Sequence, residues 1–251
     1  MNIPLRPAAE AGSSRTGTVV TWSPRALVTA AVVLASLGGL ALVIDVPVAA
    51  WCKAGGVPKD LVRFFNFCEV FAHSMGAAML LLTALVLDPG LVFPAVGWPA
   101  IRWPTFQPTV PQERMARLIG ATACGGLTVD LIKFCVSRAR PRAIDLAAHA
   151  SAFTTFGLVP GTGRHADAHS FPSGHAAVAF GLCAALAWRY PRGRWLFLVF
   201  AVSAALQRVA TSAHYPSDIC FGAALGFVGA AVFLGDRALH AGAACRSIGN
   251  V

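Results

Sequence analysis

Charge is scarce in this sequence: of 251 residues only 12% are Asp, Glu, Lys or Arg, while 56% are hydrophobic. That balance excludes an ordinary soluble domain, because a core of this size cannot hide so much apolar surface. A bilayer accepts it, provided every backbone polar group is bonded internally. Regular alternation of apolar and polar residues is also lacking, which excludes a membrane β-barrel and leaves helices. Acidic residues are the scarcer charge, 11 against 20 Lys and Arg, for a formal charge of +9. A nucleic-acid binder would gather that surplus into an aromatic-basic stripe, whereas here the cations stand singly or in small groups between apolar runs. The seven cysteines (Cys52, Cys68, Cys124, Cys135, Cys183, Cys220, Cys245) show neither CxxC nor Cys/His ligand spacing. They read as small buried hydrophobes, with Cys52 alone in an expected external loop. There is no internal repeat and no sign of a second domain.

What is present is a series of long apolar runs. The first, Ala26 to Ile44, carries no Lys or Arg and would be about 28 Å long as a helix, enough to cross the hydrocarbon core. A cleaved signal is the competing reading, since Ala49 and Ala50 are small, but a signal's apolar region is shorter. Further spans are expected at Phe64 to Leu87, Met115 to Phe134, His175 to Trp188, Trp195 to Ala213 and Ile219 to Leu234. Between the second and third lies a loop with Pro89, Pro94, Pro99, Pro104, Pro108 and Pro111, too interrupted for a helix; Trp98 and Trp103 in it suit the membrane interface. The expected fold class is therefore all-α: a polytopic membrane protein with six transmembrane helices in a single bundle over residues 26–234. Residues 1–25 and 235–251 are expected to be a cytoplasmic N-terminal segment and C-terminal tail. With the N-terminus inside, eleven arginines fall on inner segments and nine basic residues on outer ones. Three of the nine, Lys133, Arg140 and Arg208, are better assigned to a ligand site, so the remaining tally is eleven to six. That bias favours both termini in the cytoplasm and the segment Arg138 to Ser170 outside.

Three short segments put ionisable groups at one end of the last four expected helices, where such groups are costly unless they serve a function. Lys133 to Pro141 reads KFCVSRARP; Phe171 to His175 reads FPSGH; Gln207 to Asp218 reads QRVATSAHYPSD. Taken singly, each has a structural explanation: a positive helix end, a helix start at Pro172 and Ser173 whose amides face an anion, a histidine near a helix terminus. Taken together, K-x6-RP, PSGH and R-x5-H-x3-D in this order are a specific signature. The sequence resembles the type-2 phosphatidic acid phosphatase superfamily, which also includes bacterial acid phosphatases, glucose-6-phosphatase and vanadium haloperoxidases. One position departs from the family pattern: Gln207 stands where Ser usually precedes the arginine.

The resemblance implies a nucleophile at His214, with Asp218 holding its other ring N–H, and a general acid and base at His175. It implies a phosphate cradle made of Lys133, Arg140, Arg208, Ser173 and the Gly174 amide, three fixed cations doing the work of a metal so that no cofactor is needed. The expected substrate is a lipid phosphate or diphosphate such as undecaprenyl diphosphate, lipid A 1-phosphate, phosphatidylglycerol phosphate or phosphatidic acid. It would be met at the outer face of a bacterial inner membrane, with membrane lipids and no nucleic acid as partners. The alternatives are a phosphotransferase or haloperoxidase on the same constellation and a non-enzymatic membrane protein with a phosphate pocket. Outside the three segments, Asp130 is expected to pair with Lys133, and Glu69 with His73 on one helix. His165, Asp167 and His169 could be a metal site but lack a further ligand, so they read as part of a loop over the pocket.

Overall fold

A computed structural model describes residues 22–91, 109–158 and 165–235. Among the described residues eight α-helices follow one another: α1 Pro24–Ala41, α2 Asp45–Lys53, α3 Lys59–Cys68, α4 Ser74–Leu87, α5 Val110–Cys135, α6 Gly174–Arg189, α7 Arg194–Ala210 and α8 Pro216–Leu234. Among the described residues there are no strands; Arg138 makes isolated bridge pairings with Phe156 and His169. Pro94, Pro99, Pro104, Pro108, Trp98, Trp103, Cys245, Arg6, Arg15, Arg102, Arg237 and Arg246, to which the sequence assigns loops or tails, lie outside the described residues.

Local caps open α1 and α5; the latter starts at Val110, before the expected Met115, so that Pro111 belongs to the helix and not to the expected loop. Ser23 caps α1, accepting from the Ala26 amide at 3.2 Å, and α5 opens with Pro111 in its first turn while Gln112 reaches back to the Thr109 amide at 2.9 Å. Among the described residues four helices are long and apolar enough to cross a membrane: α1, α5, α7 with its preceding turn, and α8. The expected second span is broken: α3 and α4 meet at a 61° bend, and count as a fifth span only if taken as one. The expected fourth, α6, has 16 residues. Nearly all of α6 from Ala176 to Ala187 is buried, because α5, α7 and α8 enclose it, so it meets neighbouring helices where the others meet lipid. Leu40, Leu127, Leu131, Phe134 and Val232 stand exposed on the outer helices, an apolar belt that water would not tolerate and lipid does.

The central packing relies on small residues. A Cβ on Gly125 of α5 would lie 2.6 Å from the Gly226 Cα of α8, so the two backbones touch there, as membrane helices with small-residue faces do. Two expectations are corrected. Cys52 is in no loop; it is buried in α2, a nine-residue helix too short to register as an apolar run. Glu69 and His73 do not share a helix: the chain leaves α3 through a 3-10 turn, Glu69–Phe71, and His73 is extended (φ −84°, ψ 134°). Cys135, at the end of α5, is exposed, unlike the buried Cys68 and Cys183.

Candidate active site

One end of the bundle collects the C-terminus of α5, the segment after it, the start of α6 and the α7–α8 turn. A cavity of about 490 Å³ opens there, lined by Lys133, Arg140, Gly174, His175 and His214, with His73 and Ser74 from the start of α4. The other expected residues, Ser173, Arg208 and Asp218, are not part of this lining. Ser173 is fully buried as the cap of α6, accepting from the Ala176 amide at 3.4 Å. Its own amide donates to the Asp218 carbonyl at 3.0 Å, which ties the start of α6 to the start of α8.

His214 is 2% exposed and its ring is oriented by backbone. Nδ1 lies 2.7 Å from the Ser170 carbonyl oxygen; since a carbonyl only accepts, Nδ1 carries the hydrogen and Nε2 keeps its lone pair. The Asp218 carboxylate, expected to take that N–H, stands 3.5 Å away, and the Ser170 hydroxyl bridges to it, donating to Oδ2 at 2.6 Å. Ser170 is thus a functional residue that sequence reasoning missed; a serine one residue before FPSGH carries no signal of its own. Asp218 also accepts from the Tyr215 amide at 2.9 Å, closing the first turn of α8 around it. Burial lowers the His214 pKa to about 4, with Asp218 opposing and Arg140 and Arg208 adding to the shift. The turn before it is strained: Ser212 adopts φ 54°, held where its carbonyl accepts from the Arg142 amide at 3.0 Å.

The cations are crowded. The Arg140 pKa falls to about 10 through burial first, then through the neighbouring charges of Arg142 and Arg208. Its Nε donates to the Ala166 carbonyl at 2.9 Å. Lys133 Nζ stands 3.6 Å from where a Gly174 Cβ would be, so the ammonium rests on the first turn of α6; Asp130 is 4.0 Å from it, the pairing expected. Arg208 pairs with Glu69 at 2.8 Å, while its buried Nε has no hydrogen-bond partner among the described residues. Gln207 donates to Asn66 at 3.0 Å and to Glu69 at 3.2 Å, so it binds neighbours. The His175 and His73 rings meet edge to face, centroids 5.8 Å apart. Of the three residues weighed as a metal site, Asp167 forms an ion pair with Arg142 at 3.0 Å, and among the described residues no group of three His, Cys, Asp or Glu could hold a metal ion.

Two histidines, one with a free ring nitrogen, facing a set of fixed cations is an arrangement that can pass a phosphoryl group from an ester to nitrogen and on to water. Residues 114–238 match the PAP2 superfamily. The chain belongs to that superfamily. All eight residues expected to form the site fall inside the matched region. Among curated relatives, the chain is 37% identical over 111 residues to the lipid A 1-phosphatase of Rhizobium etli, covering 44% of this chain and 45% of the relative. It is 36% identical over 111 residues to the lipid A 1-phosphatase of Rhizobium johnstonii, 44% and 43% of the two chains. It is 30% identical over 83 residues to the bacitracin transport permease protein BcrC of Bacillus licheniformis, 32% and 41%. The chain thus matches less than half the length of each of these relatives. No solved structure matches it significantly.

Proposed function

We propose that this PAP2 protein is an integral membrane phosphatase that removes phosphate from a lipid through a phosphohistidine. The observation that carries this reading is the shape of the cavity. Below the cations it continues as a groove between α4 and α5, walled by Ala77, Ala78 and Leu81 on one side and Ile119, Ala123, Gly126 and Leu127 on the other. From Lys133 to Ile119 that face of α5 runs about 21 Å, and α4 touches α5 only lightly. A phosphate held at the top and a hydrocarbon chain lying in the groove would fill it, with the lipid arriving sideways from the bilayer.

In this reading the His214 Nε2 lone pair attacks phosphorus while the bond from phosphorus to the lipid oxygen breaks, and His175 gives that oxygen its proton. The resulting phosphoimidazolium keeps its Nδ1–H on the Ser170 carbonyl, with the Asp218 carboxylate facing its charge. Lys133, Arg140, Arg208 and the Gly174 amide hold the phosphoryl oxygens without a metal, and Ser173 keeps the α6 start in place for them. Water then gives His175 a proton, adds to phosphorus and frees His214. The remaining parts follow: six crossings, with α3–α4 as one bent span and α6 as an enclosed one, over a single domain at 26–234; both ends cytoplasmic; the site at the outer face of a bacterial inner membrane. The relatives' names make lipid A 1-phosphate the first substrate to try. The test is purified protein in detergent incubated with a panel of lipid phosphates and diphosphates, with released phosphate measured. Release from at least one lipid, together with an acid-labile phosphoenzyme, is expected; no release from any would overturn the reading.

A further inference from the structure

Arg138 was legible in the sequence only as one more cation near a helix end, yet it is 0% exposed, a burial rare for arginine unless fully paired. Four of the five N–H donors of its planar fork are taken. Nε donates to Thr155 Oγ1 at 3.0 Å, one terminal nitrogen to Ser217 Oγ at 2.8 Å and Asp218 Oδ1 at 2.5 Å, and the other to Asp45 Oδ2 at 2.7 Å. The rings of Tyr215 and Phe156 cover its faces, with centroids 4.0 and 4.5 Å from Cζ. Asp45, the first residue of α2, is also fully buried and accepts from the Ser217 amide at 2.9 Å. Lys53, at the other end of α2, donates to the Ile144 carbonyl at 2.7 Å, so α2 is clamped over the segment that carries Arg138.

We propose that Arg138, backed by Asp45, is a positioning residue for phosphoryl transfer: it locks one oxygen of Asp218 so that the other, with Ser170, stays set against His214. This rests on the reading of the site as a phosphatase. Asp218 has no spare freedom: Oδ1 is taken by Arg138, and Oδ2 by Ser170, the Tyr215 amide and the edge of His214. A carboxylate released from Arg138 would turn or take up a proton, and would no longer face the charge that develops on the His214 ring. A buried pair serving stability alone could sit anywhere in the bundle; this one ends on the carboxylate that faces the nucleophile. Arg138 does not line the cavity, so substrate binding by Lys133 and Arg140 should be untouched. A transfer site misplaced by about 1 Å loses rate by about 10².

The experiment compares parent, Arg138→Lys and Asp45→Asn in detergent. Competent sites are counted by the amplitude of phosphoenzyme formed from an aryl phosphate, and KM and the single-turnover rate are measured per competent site. Arg138→Lys keeps the charge but loses the fork, and the expected result is a rate lower by about 10² with KM unchanged. Asp45→Asn should lower the rate in the same direction by less, because Arg138 loses one of its two anchors. A role in folding alone predicts fewer competent sites, each with the parental rate, and that outcome in either variant overturns the proposal. Should Arg138→Lys fail to accumulate, Asp45→Asn decides. A parent that forms no phosphoenzyme and releases no phosphate overturns the phosphatase reading; an active parent with undiminished variants overturns only the role of Arg138.

Discussion

At the residue scale the proposed function gives the two histidines different work, and substitution should separate them. His214→Ala should abolish turnover of every substrate, because no nitrogen remains to receive the phosphoryl group. His175→Ala should slow single-turnover phosphoenzyme formation by about 10² to 10⁴ on a lipid monophosphate, whose alkoxide needs a proton to leave, and clearly less on an aryl phosphate. Equal losses on both substrates would remove His175 from the acid role. The burial of His214 has a second consequence. Its folded pKa, about 4, lies below the ordinary histidine value of about 6.5, so between those values the unfolded chain binds the extra proton and the folded one does not. The stability tied to the neutral ring is complete above about pH 6.5 and lost as pH falls through about 4. The thermal midpoint of the detergent-solubilised protein should drop across that window, and His214→Asn should flatten the drop; an unchanged slope would show that other groups carry it.

At the element scale, the break between α3 and α4 is what opens the cavity, since it turns His73 and Ser74 toward His175. No proline or glycine pair marks it in the sequence. Glu69 instead leaves the helix line to meet Arg208 and Gln207 of α7, a long-range contact that periodicity cannot report. Glu69→Ala strands the partly buried Arg208 guanidinium, and the cost should fall at about 1–3 kcal/mol, between exposed and buried pairs. The measurement is the thermal midpoint, with Asp60→Ala, whose pairing with Arg63 is exposed, as the near-neutral control. The α5–α8 contact makes a second test. Gly125→Val places a side chain against the Gly226 backbone and should cost about 3 kcal/mol or more, because neither backbone can yield. Gly39→Val, where nothing lies within 4 Å, should be tolerated.

At the scale of the whole molecule, the proposed orientation rests on the basic bias of the expected inner segments. In a cysteine-free background, Ser151→Cys, on an exposed turn after α5, should react with an impermeant thiol reagent from outside intact cells, while a reporter fused after Val251 should be active in the cytoplasm. Labelling of position 151 only after lysis would reverse the topology. In the proposed function Lys133, Arg140 and Arg208 supply the positive charge, so activity should survive chelators, and vanadate, which mimics five-coordinate phosphorus, should inhibit. Activity lost to a chelator and restored by a divalent ion would require a metal in the mechanism.

The sequence by itself determined the solvent of this protein, the helical class, the approximate places of its long helices and the three motifs, because composition, 3.6-residue runs and motif spacing are local properties. It also singled out Lys133, Arg140, Gly174, His175 and His214, which the fold brings around one cavity. Only the tertiary structure decided that the second run is bent by 61°, that α6 is enclosed, and that α2 exists as a clamp. It also decided what holds His214: the Ser170 carbonyl in front, and Asp218, Arg138 and Asp45 behind it in a buried chain. Arg138 and Asp45 in that chain are 93 positions apart. Their value lies in pairing charges that burial would otherwise make prohibitive, and no local pattern of residues encodes which distant partner closes such a pair.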